Sequence, residues 1–301
     1  MIDVIFLGTS SQFPTKDRNH SSIFFRLGKF KALFDCGEGT QKQMRILTLS
    51  PHHLDAIFIS HWHGDHTLGI GGILQSLSAS GREDTLKIYG PIGTKDRIDH
   101  IMQTYVFKRV FHIEVYEADE LNEEILFETD EFEVYSFPLS HGLTGNGYYL
   151  ITKPMRKINI EYTKKFGLVN HPLIGELQDG KDIVYDGKKI LAKDATYMDK
   201  PRKLTYIADT NYFDDLIDYA KNSDLLICEA TFSKKDEDKC KDYNHLSSAQ
   251  AAMIAKKSNS KQLIMTHISQ RYNNSKLLED EAKEVFKDSL YAYDFMEYSI
   301  K

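Results

Sequence analysis

The chain has 301 residues, 41% hydrophobic and 27% charged, with a net charge of −6, the balance of a globular protein large enough to bury a full core. No apolar run approaches the roughly 20 residues that span a bilayer, and the start, MIDVIFLGTSSQFP, lacks a basic leader, so a cytoplasmic protein with no membrane partner is expected. Three widely spaced cysteines, Cys36, Cys228 and Cys240, suit reduced thiols better than a disulfide framework.

Taken in chain order, short apolar, β-branched or aromatic runs recur and end in Gly, Asp or His. They are VIFLGT (4–9), SIFFRLG (22–28), KALFDCG (31–37), AIFISH (56–61) and LKIYG (86–90). FEVYSF (132–137), GYYLIT (147–152), KLTYIAD (203–209), LLICEA (225–230), LIMTH (263–267) and YAYDFMEY (291–298) follow. Helix-period stretches lie between many of them: GTQKQMRILTLS, HTLGIGGILQSLSAS, FDDLIDYAKNS and SSAQAAMIAKKS. Strand–helix alternation predicts α/β architecture, and the similar rhythm early and late predicts two packed sheets flanked by helices.

Residues 154–202 break that rhythm. They are polar, carry turn signals at His171-Pro172, Asp179-Gly180 and Asp186-Gly187, and separate two good strands. Residues 153–203 hold twelve Lys and Arg against seven Asp and Glu, a local +5 that leaves −11 for the rest. A basic segment on an acidic body restores attraction to polyanions locally. So long a connection is either an excursion with its own small structure or a functional loop.

The densest chemical signal is SHWHGDHTLG (60–69). It follows the run AIFIS, where α/β proteins place their sites, at a strand's C-terminal end. In extended chain His61 and His63 share a face, and Gly64 lets the chain turn so that Asp65 and His66 face a second direction. Such a layout supplies two adjacent ions instead of crowding one. Imidazole with carboxylate suits zinc, with manganese or iron as alternatives. His141, Asp209 and His267 end the runs SFPLSH, TYIAD and LIMTH, in the same kind of position as His61. His20, His52, His53, His100, His112 and His171 lack that placement and read as ordinary.

HxHxDH with a distant His, a later Asp and a final His resembles the metallo-β-lactamase superfamily. Within it, FLGTSSQFPTKDRN, LFDCGEGTQ, SHWHGDH, IADT, CEATF, NHLSSAQAA and THISQRY, in order along the whole chain, resemble the ribonuclease Z family of tRNA 3′-processing endonucleases. The resemblance implies a single αββα catalytic domain over residues 1–301, two packed mixed sheets flanked by helices, with 154–202 as an inserted, protruding tRNA-binding arm. It implies two zinc ions per subunit: one held by His61, His63 and His141, the other by Asp65, His66 and His267, with Asp209 bridging. Asp35 would orient the site without binding metal.

The implied reaction removes 3′ trailers from precursor tRNA, leaving a 3′-hydroxyl on the tRNA and a 5′-phosphate on the trailer. A metal-bridging hydroxide would attack the scissile phosphate, with Asp65 handling its proton. His245, held by Glu229, would protonate the leaving oxygen. Lys16, Arg18, Asn19 and Arg271 would contact the 3′ end, and Arg156, Lys157, Lys164 and Lys165 of the arm the tRNA backbone. The resemblance also implies a homodimer in which one subunit's arm serves the other's site. Two departures stand out: CEATF where the family has an HEATF-type stretch, and His171-Pro172 where its arm has Gly-Pro. Two other readings compete. One is a small-molecule hydrolase of a phosphodiester, thioester or lactone on the same scaffold; the other is a non-catalytic, metal-stabilised RNA-binding subunit.

Overall fold

β-Branched and aromatic runs fit a pleated, half-buried surface, and they form the strands of the computed structural model, which describes residues 1–106, 108 and 110–301. In chain order the strands are β1 (Ile2–Gly8), β2 (Ser22–Leu27), β3 (Phe30–Phe34), β4 (Ala56–Phe58), β5 (Leu86–Pro91) and β6 (Ile113–Ala118). Next come β7 (Glu124–Glu128), β8 (Phe132–Ser140), β9 (Thr144–Thr152), β10 (Arg156–Ile158), β11 (Ile183–Tyr185), β12 (Lys188–Ile190) and β13 (Thr196–Met198). The last are β14 (Lys203–Ile207), β15 (Leu225–Glu229), β16 (Leu263–Thr266), β17 (Ser289–Tyr291) and β18 (Glu297–Ile300).

One seven-stranded sheet runs β18-β1-β2-β3-β4-β5-β6, and a second runs β17-β16-β15-β14-β9-β8-β7. The first is antiparallel from β18 to β3 and parallel from β3 to β6. In the second, β14 to β17 are parallel. Parallel strands end at a common edge, which brings the residues after β14 and β16 together.

The sheets face each other across an aromatic layer. Phe34 stacks on Phe25 with centroids 4.4 Å apart and on Tyr206 of the second sheet at 5.0 Å. Phe58 meets Tyr148 at 5.4 Å. Helix Ile70–Ala79 places Ile70, Ile73, Leu74 and Leu77 at helical spacing and packs them with Leu33, Ile57 and Ile88 on the first sheet's outer side. Helix Ser248–Lys257 starts at a capping box between Ser247 and Gln250 and covers β15 and β16. Helices therefore flank both sheets, the expected αββα order. No helix among the described residues is long and apolar enough to cross a membrane.

One expected strand is corrected. YAYDFMEY is not continuous: β17 ends at Tyr291 in the second sheet and β18 starts at Glu297 in the first. Between them the Asp294 carboxylate accepts from Thr9 Oγ1 and the Asn19 amide, and Phe295 takes a left-handed φ of 71°. A half-buried carboxylate and a turn interrupt what hydrophobicity alone presents as one run.

The chain divides into two compact units, residues 1–127 with 134–150 and 203–301, and residues 128–133 with 151–202. The smaller has a core of its own, in which Leu168, Leu177, Ile183 and Ile190 pack with Ile158, Tyr162 and Phe166. Its strands pair as two antiparallel ribbons, β10 with β13 and β11 with β12. The Asp179-Gly180 and Asp186-Gly187 turns use left-handed glycines at φ 81° and 71°, as their sequence signals. Within this unit Arg156 donates to Thr196 Oγ1 at 2.9 Å, and Lys164 pairs with Glu161 at 3.7 Å. Lys165 lies 5.9 Å from the Tyr162 ring centre, and Lys157 stands opposite Tyr197 across the ribbon.

Candidate functional site

β4 stops at Phe58, and the chain runs irregularly to His63 before helix Gly64–Thr67 begins. His63 is extended, with φ −69° and ψ 151°, so the turn into the helix re-aims Asp65 and His66. His141 follows β8, Asp209 follows β14 and His267 follows β16. His267 itself has a φ of 66°, a left-handed conformation that costs energy for a residue bearing Cβ and is kept only where surroundings hold it.

These side chains converge in two sets. Ligand atoms of His61, His63 and His141 lie within 4.8 Å of one another, and so do those of Asp65, His66, Asp209 and His267. Asp209 Oδ2 lies 3.8 Å from His61 Nε2, 3.7 Å from His141 Nε2, 3.4 Å from His66 Nε2 and 3.3 Å from His267 Nε2. Its other oxygen is buried and has no hydrogen-bond partner among the described residues. A buried carboxylate oxygen left bare is costly, and a cation beside it removes the cost.

Ring orientations follow from what holds each Nδ1. His61 Nδ1 donates to Ser60 Oγ at 3.0 Å, which donates to Asp35 Oδ2 at 2.8 Å. His66 Nδ1 donates to the same Asp35 oxygen at 2.8 Å. His141 Nδ1 donates to Asn244 O at 2.7 Å, and His267 Nδ1 to Thr231 Oγ1 at 2.8 Å. Each therefore turns a bare Nε2 toward the cluster, the tautomer that binds metal. His63 differs, presenting Nδ1 at 3.0 Å from His61 Nε2.

Electrostatics agree with a cation site. Burial opposes the Asp65 charge, but His66 and His267 outweigh it and hold the carboxyl well below its usual range. Burial likewise opposes charge on His66, yet Asp209, Asp35 and Asp65 attract positive charge there, a proton or a metal cation alike. For His61, burial and the neighbouring His66 keep the ring neutral. The residues present fit a divalent metal: mixed imidazole and carboxylate donors, tautomers fixed from behind, and one orphaned oxygen inside.

Beside the cluster, His245 Nδ1 donates to Glu229 Oε1 at 2.9 Å. Burial disfavours the imidazolium, but Glu229 and then Asp209 raise its pKa to about 9. Thr231 links the two systems, donating to Glu229 Oε2 at 2.8 Å while accepting from His267. The cavity in front measures about 530 Å³. Apart from the cluster and His245, its walls include Ser11, Gln12, His20, Phe232, Tyr243 and Arg271.

Several residues expected on substrate have other partners. Arg18 donates to Thr9 Oγ1 and Ala292 O, both at 2.7 Å, and to Ser275 Oγ at 3.3 Å. Asn19 donates from Nδ2 to Glu38 O at 2.6 Å. Both are thereby held inside the loop that leads into the cavity, while Lys16 projects with its side chain 90% exposed. Arg271 lies against the Phe232 ring at 4.7 Å, donates from Nε to Ser269 Oγ at 3.1 Å, and lines the cavity. Three residues escaped the sequence reading. His20, read as ordinary, lines the cavity, its Nε2 3.2 Å from Gln12 O. Tyr206 and Thr231 support the cluster from behind, and only their nearness to Asp209 and Glu229 in sequence hinted at it.

Residues 2–164 match the family model described as anti-Pycsar protein Apyc1, and residues 196–268 match that of the beta-lactamase superfamily domain. Over its whole length the chain is 36% identical to ribonuclease Z of Methanothermobacter thermautotrophicus, covering 97% of that relative. Human tRNase Z, short form, superposes with a TM-score of 0.72 at 29% identity, each chain covered to 99%. The metallo-β-lactamase fold protein YhfI of Bacillus subtilis superposes at 0.71 with 21% identity, covered to 99% and 98%, which speaks for the fold alone. A likeness that spans both sheets and the smaller unit together, at this identity, decides between the two halves' descriptions: the chain belongs to the ribonuclease Z family.

Proposed function

We propose that the chain is a zinc-dependent endoribonuclease that removes 3′ trailers from precursor tRNA, leaving a tRNA 3′-hydroxyl and a trailer 5′-phosphate. The observation that carries the metal assignment is the position of Asp209 Oδ2, within 3.3–3.8 Å of histidines from both sets. His61, His63 and His141 would hold one ion, Asp65, His66 and His267 the other, with Asp209 shared. The chemistry such ions supply when bound is charge stabilisation on phosphate and ionisation of water near neutral pH.

The chain's own groups do the rest. Asp65 faces the cavity as a carboxylate and accepts the proton of the attacking water. Glu229 holds His245 through Nδ1, so Nε2 carries the proton delivered to the leaving 3′-oxygen. Arg271 offers its guanidinium, and Lys16 its ammonium, to phosphates beside the cut; Arg18 and Asn19 serve the same contact by fixing the loop between them. Residues 154–202 are the arm that grips the tRNA backbone, with Arg156, Lys157, Lys164 and Lys165 among its contacts. Its separate core and surplus of positive charge support that reading. A homodimer with the arm acting in trans, in the cytoplasm, completes the proposal.

Labelled precursor tRNA with mapped product ends tests it. Cleavage just after the tRNA 3′ end, with a 5′-phosphate on the trailer, is expected. Hydrolysis of a small phosphodiester with precursor tRNA left intact would replace it with the small-molecule hydrolase.

A further inference from the structure

The metal cluster is assembled from two sheets whose strands do not pair with each other, and a backbone bond that crosses beside it, Asn146 N–H to Ser60 O at 2.8 Å, reaches the His61 side and leaves Asp209 unlinked. His61, His63, Asp65 and His66 follow β4 of the first, while His141, Asp209 and His267 follow strands of the second. Apolar packing between sheets sets their spacing well but resists sliding poorly, because dispersion contacts are not directional. A centre that must hold ligand atoms to a few tenths of an ångström needs a directional link.

Tyr206 supplies one. It lies on β14, three residues before Asp209, and is 2% exposed. Its ring stacks on Phe34 across the sandwich, and its hydroxyl donates to Asp35 Oδ2 at 2.7 Å. Asp35 follows β3 of the first sheet, is fully buried and has a left-handed φ of 56°. That single oxygen also accepts from Ser60 Oγ and His66 Nδ1, while Oδ1 accepts from the Ser60 amide at 2.7 Å. The link thus runs from the strand carrying Asp209, through Tyr206 and Asp35, to the ring of His66, whose Nε2 lies 3.4 Å from Asp209 Oδ2. Tyr148 makes a comparable crossing from β9, but its hydroxyl donates to a backbone oxygen, Ile59 O, at 2.5 Å.

We infer that Tyr206 is a positioning residue for the metal centre: a hydrogen-bonded tether between the sheets that sets His66 against Asp209. The inference rests on reading the cluster as a metal site, and it assigns Tyr206 no contact with substrate.

The test replaces one oxygen and no ring. Tyr206→Phe and, as the comparison, Tyr148→Phe are each loaded with zinc and titrated against a chelator of known affinity, and each is loaded with cobalt(II) for its visible absorption. Tyr206→Phe is expected to bind the more weakly held ion about 10-fold less tightly, the low end of the 10–100-fold range for a ligand's own partner, because Tyr206 bonds that partner and not the ligand. Its cobalt bands should shift, while Tyr148→Phe stays within threefold of the parent with an unaltered spectrum. Parent-like affinity and spectrum in Tyr206→Phe would overturn the inference, as would equal losses in both variants, which would mean general loosening of the sandwich. A Tyr206→Phe chain that cannot fold would overturn it too, since the hydroxyl would then serve stability first. Failure of the parent to bind zinc at all is a separate outcome: it strikes the metal reading itself, and the tether with it.

Discussion

Replacing Arg18 with Ala separates two roles that a basic residue near a nuclease site can play. If its guanidinium mainly gripped substrate phosphate, the free protein would melt as before and only RNA binding would suffer. The structure instead gives it two short bonds, to Thr9 Oγ1 and Ala292 O at 2.7 Å, and one long bond to Ser275 at 3.3 Å. Bonds with a charged donor contribute about 1.5–3 kcal/mol each when well buried. Arg18 is half-buried, so the two short ones together are reckoned at about 2–4 kcal/mol. At ~2.1 cal/mol/K per residue the unfolding entropy of a chain this size is about 0.6 kcal/mol/K, which converts that loss into a Tm drop of roughly 3–6 °C. Differential scanning fluorimetry of the metal-loaded protein reads it directly. Because Arg18 anchors the loop bearing Ser11 and Gln12, kcat/KM should fall for precursor tRNA and for bis-p-nitrophenyl phosphate alike. Lys16→Ala, at an exposed position, should leave Tm untouched and weaken only tRNA. A Tm within 1 °C of the parent for Arg18→Ala, with only the KM for tRNA raised roughly tenfold, would refute the anchoring argument.

Asp65→Ala should leave the secondary structure intact and reduce turnover to below a tenth of the parent, because it removes a cluster carboxylate and the proposed proton acceptor together; circular dichroism and a cleavage assay check both halves. His245→Ala should slow cleavage by about 10²–10⁴-fold with zinc content unchanged, and loss of zinc measured by atomic absorption would move His245 among the ligands. A precursor with one 2′-deoxy nucleotide at the cut should still be cleaved, since in the proposed mechanism water and not the RNA's own hydroxyl attacks; complete resistance would point to cyclisation instead. Exchanging residues 154–202 for a Gly/Ser linker should spare hydrolysis of the small phosphodiester and collapse tRNA binding, with the salt dependence shallower by about 0.7–0.9 per lost phosphate contact. Unchanged tRNA affinity would make that unit a bystander.

Much of this was legible in the sequence, for reasons that differ from residue to residue. Metal-type ligands at strand ends announce themselves because few other needs place His and Asp there, and the cluster of His61, His63, Asp65 and His66 with His141, Asp209 and His267 is brought together as expected. The helix at Ser248–Lys257 was legible from its period, and the structure adds the capping box that starts it. Partners that act from behind were not legible, because Tyr206 looks like any aromatic in a buried strand until its hydroxyl is seen on Asp35. The internal partners of Arg18 were not legible either: a guanidinium in a loop suggests phosphate, and only the fold brings distant acceptors such as Ala292 O to it. β6 (IEVYEA) and β7 (EILFE) passed unnoticed since, at the rim of each sheet, they are charged and only partly buried.

The pairing of β1 with β18 bears on how the protein is made. Ile2 through Ile5 lie opposite Ile300 through Glu297, and Phe6 exchanges backbone bonds with Phe295 and Met296. During synthesis β1 (Ile2–Gly8) thus waits for its outer neighbour, β18 (Glu297–Ile300), until the intervening residues have been read. At roughly 5–20 residues per second that interval is on the order of 15–60 s. Throughout it the strand IDVIFLG shows one unpaired edge to the cell, the kind of edge that recruits other chains. A ribosome-bound chaperone that covers this edge would therefore raise the yield of folded protein, and slow codons between the two strands would lower it.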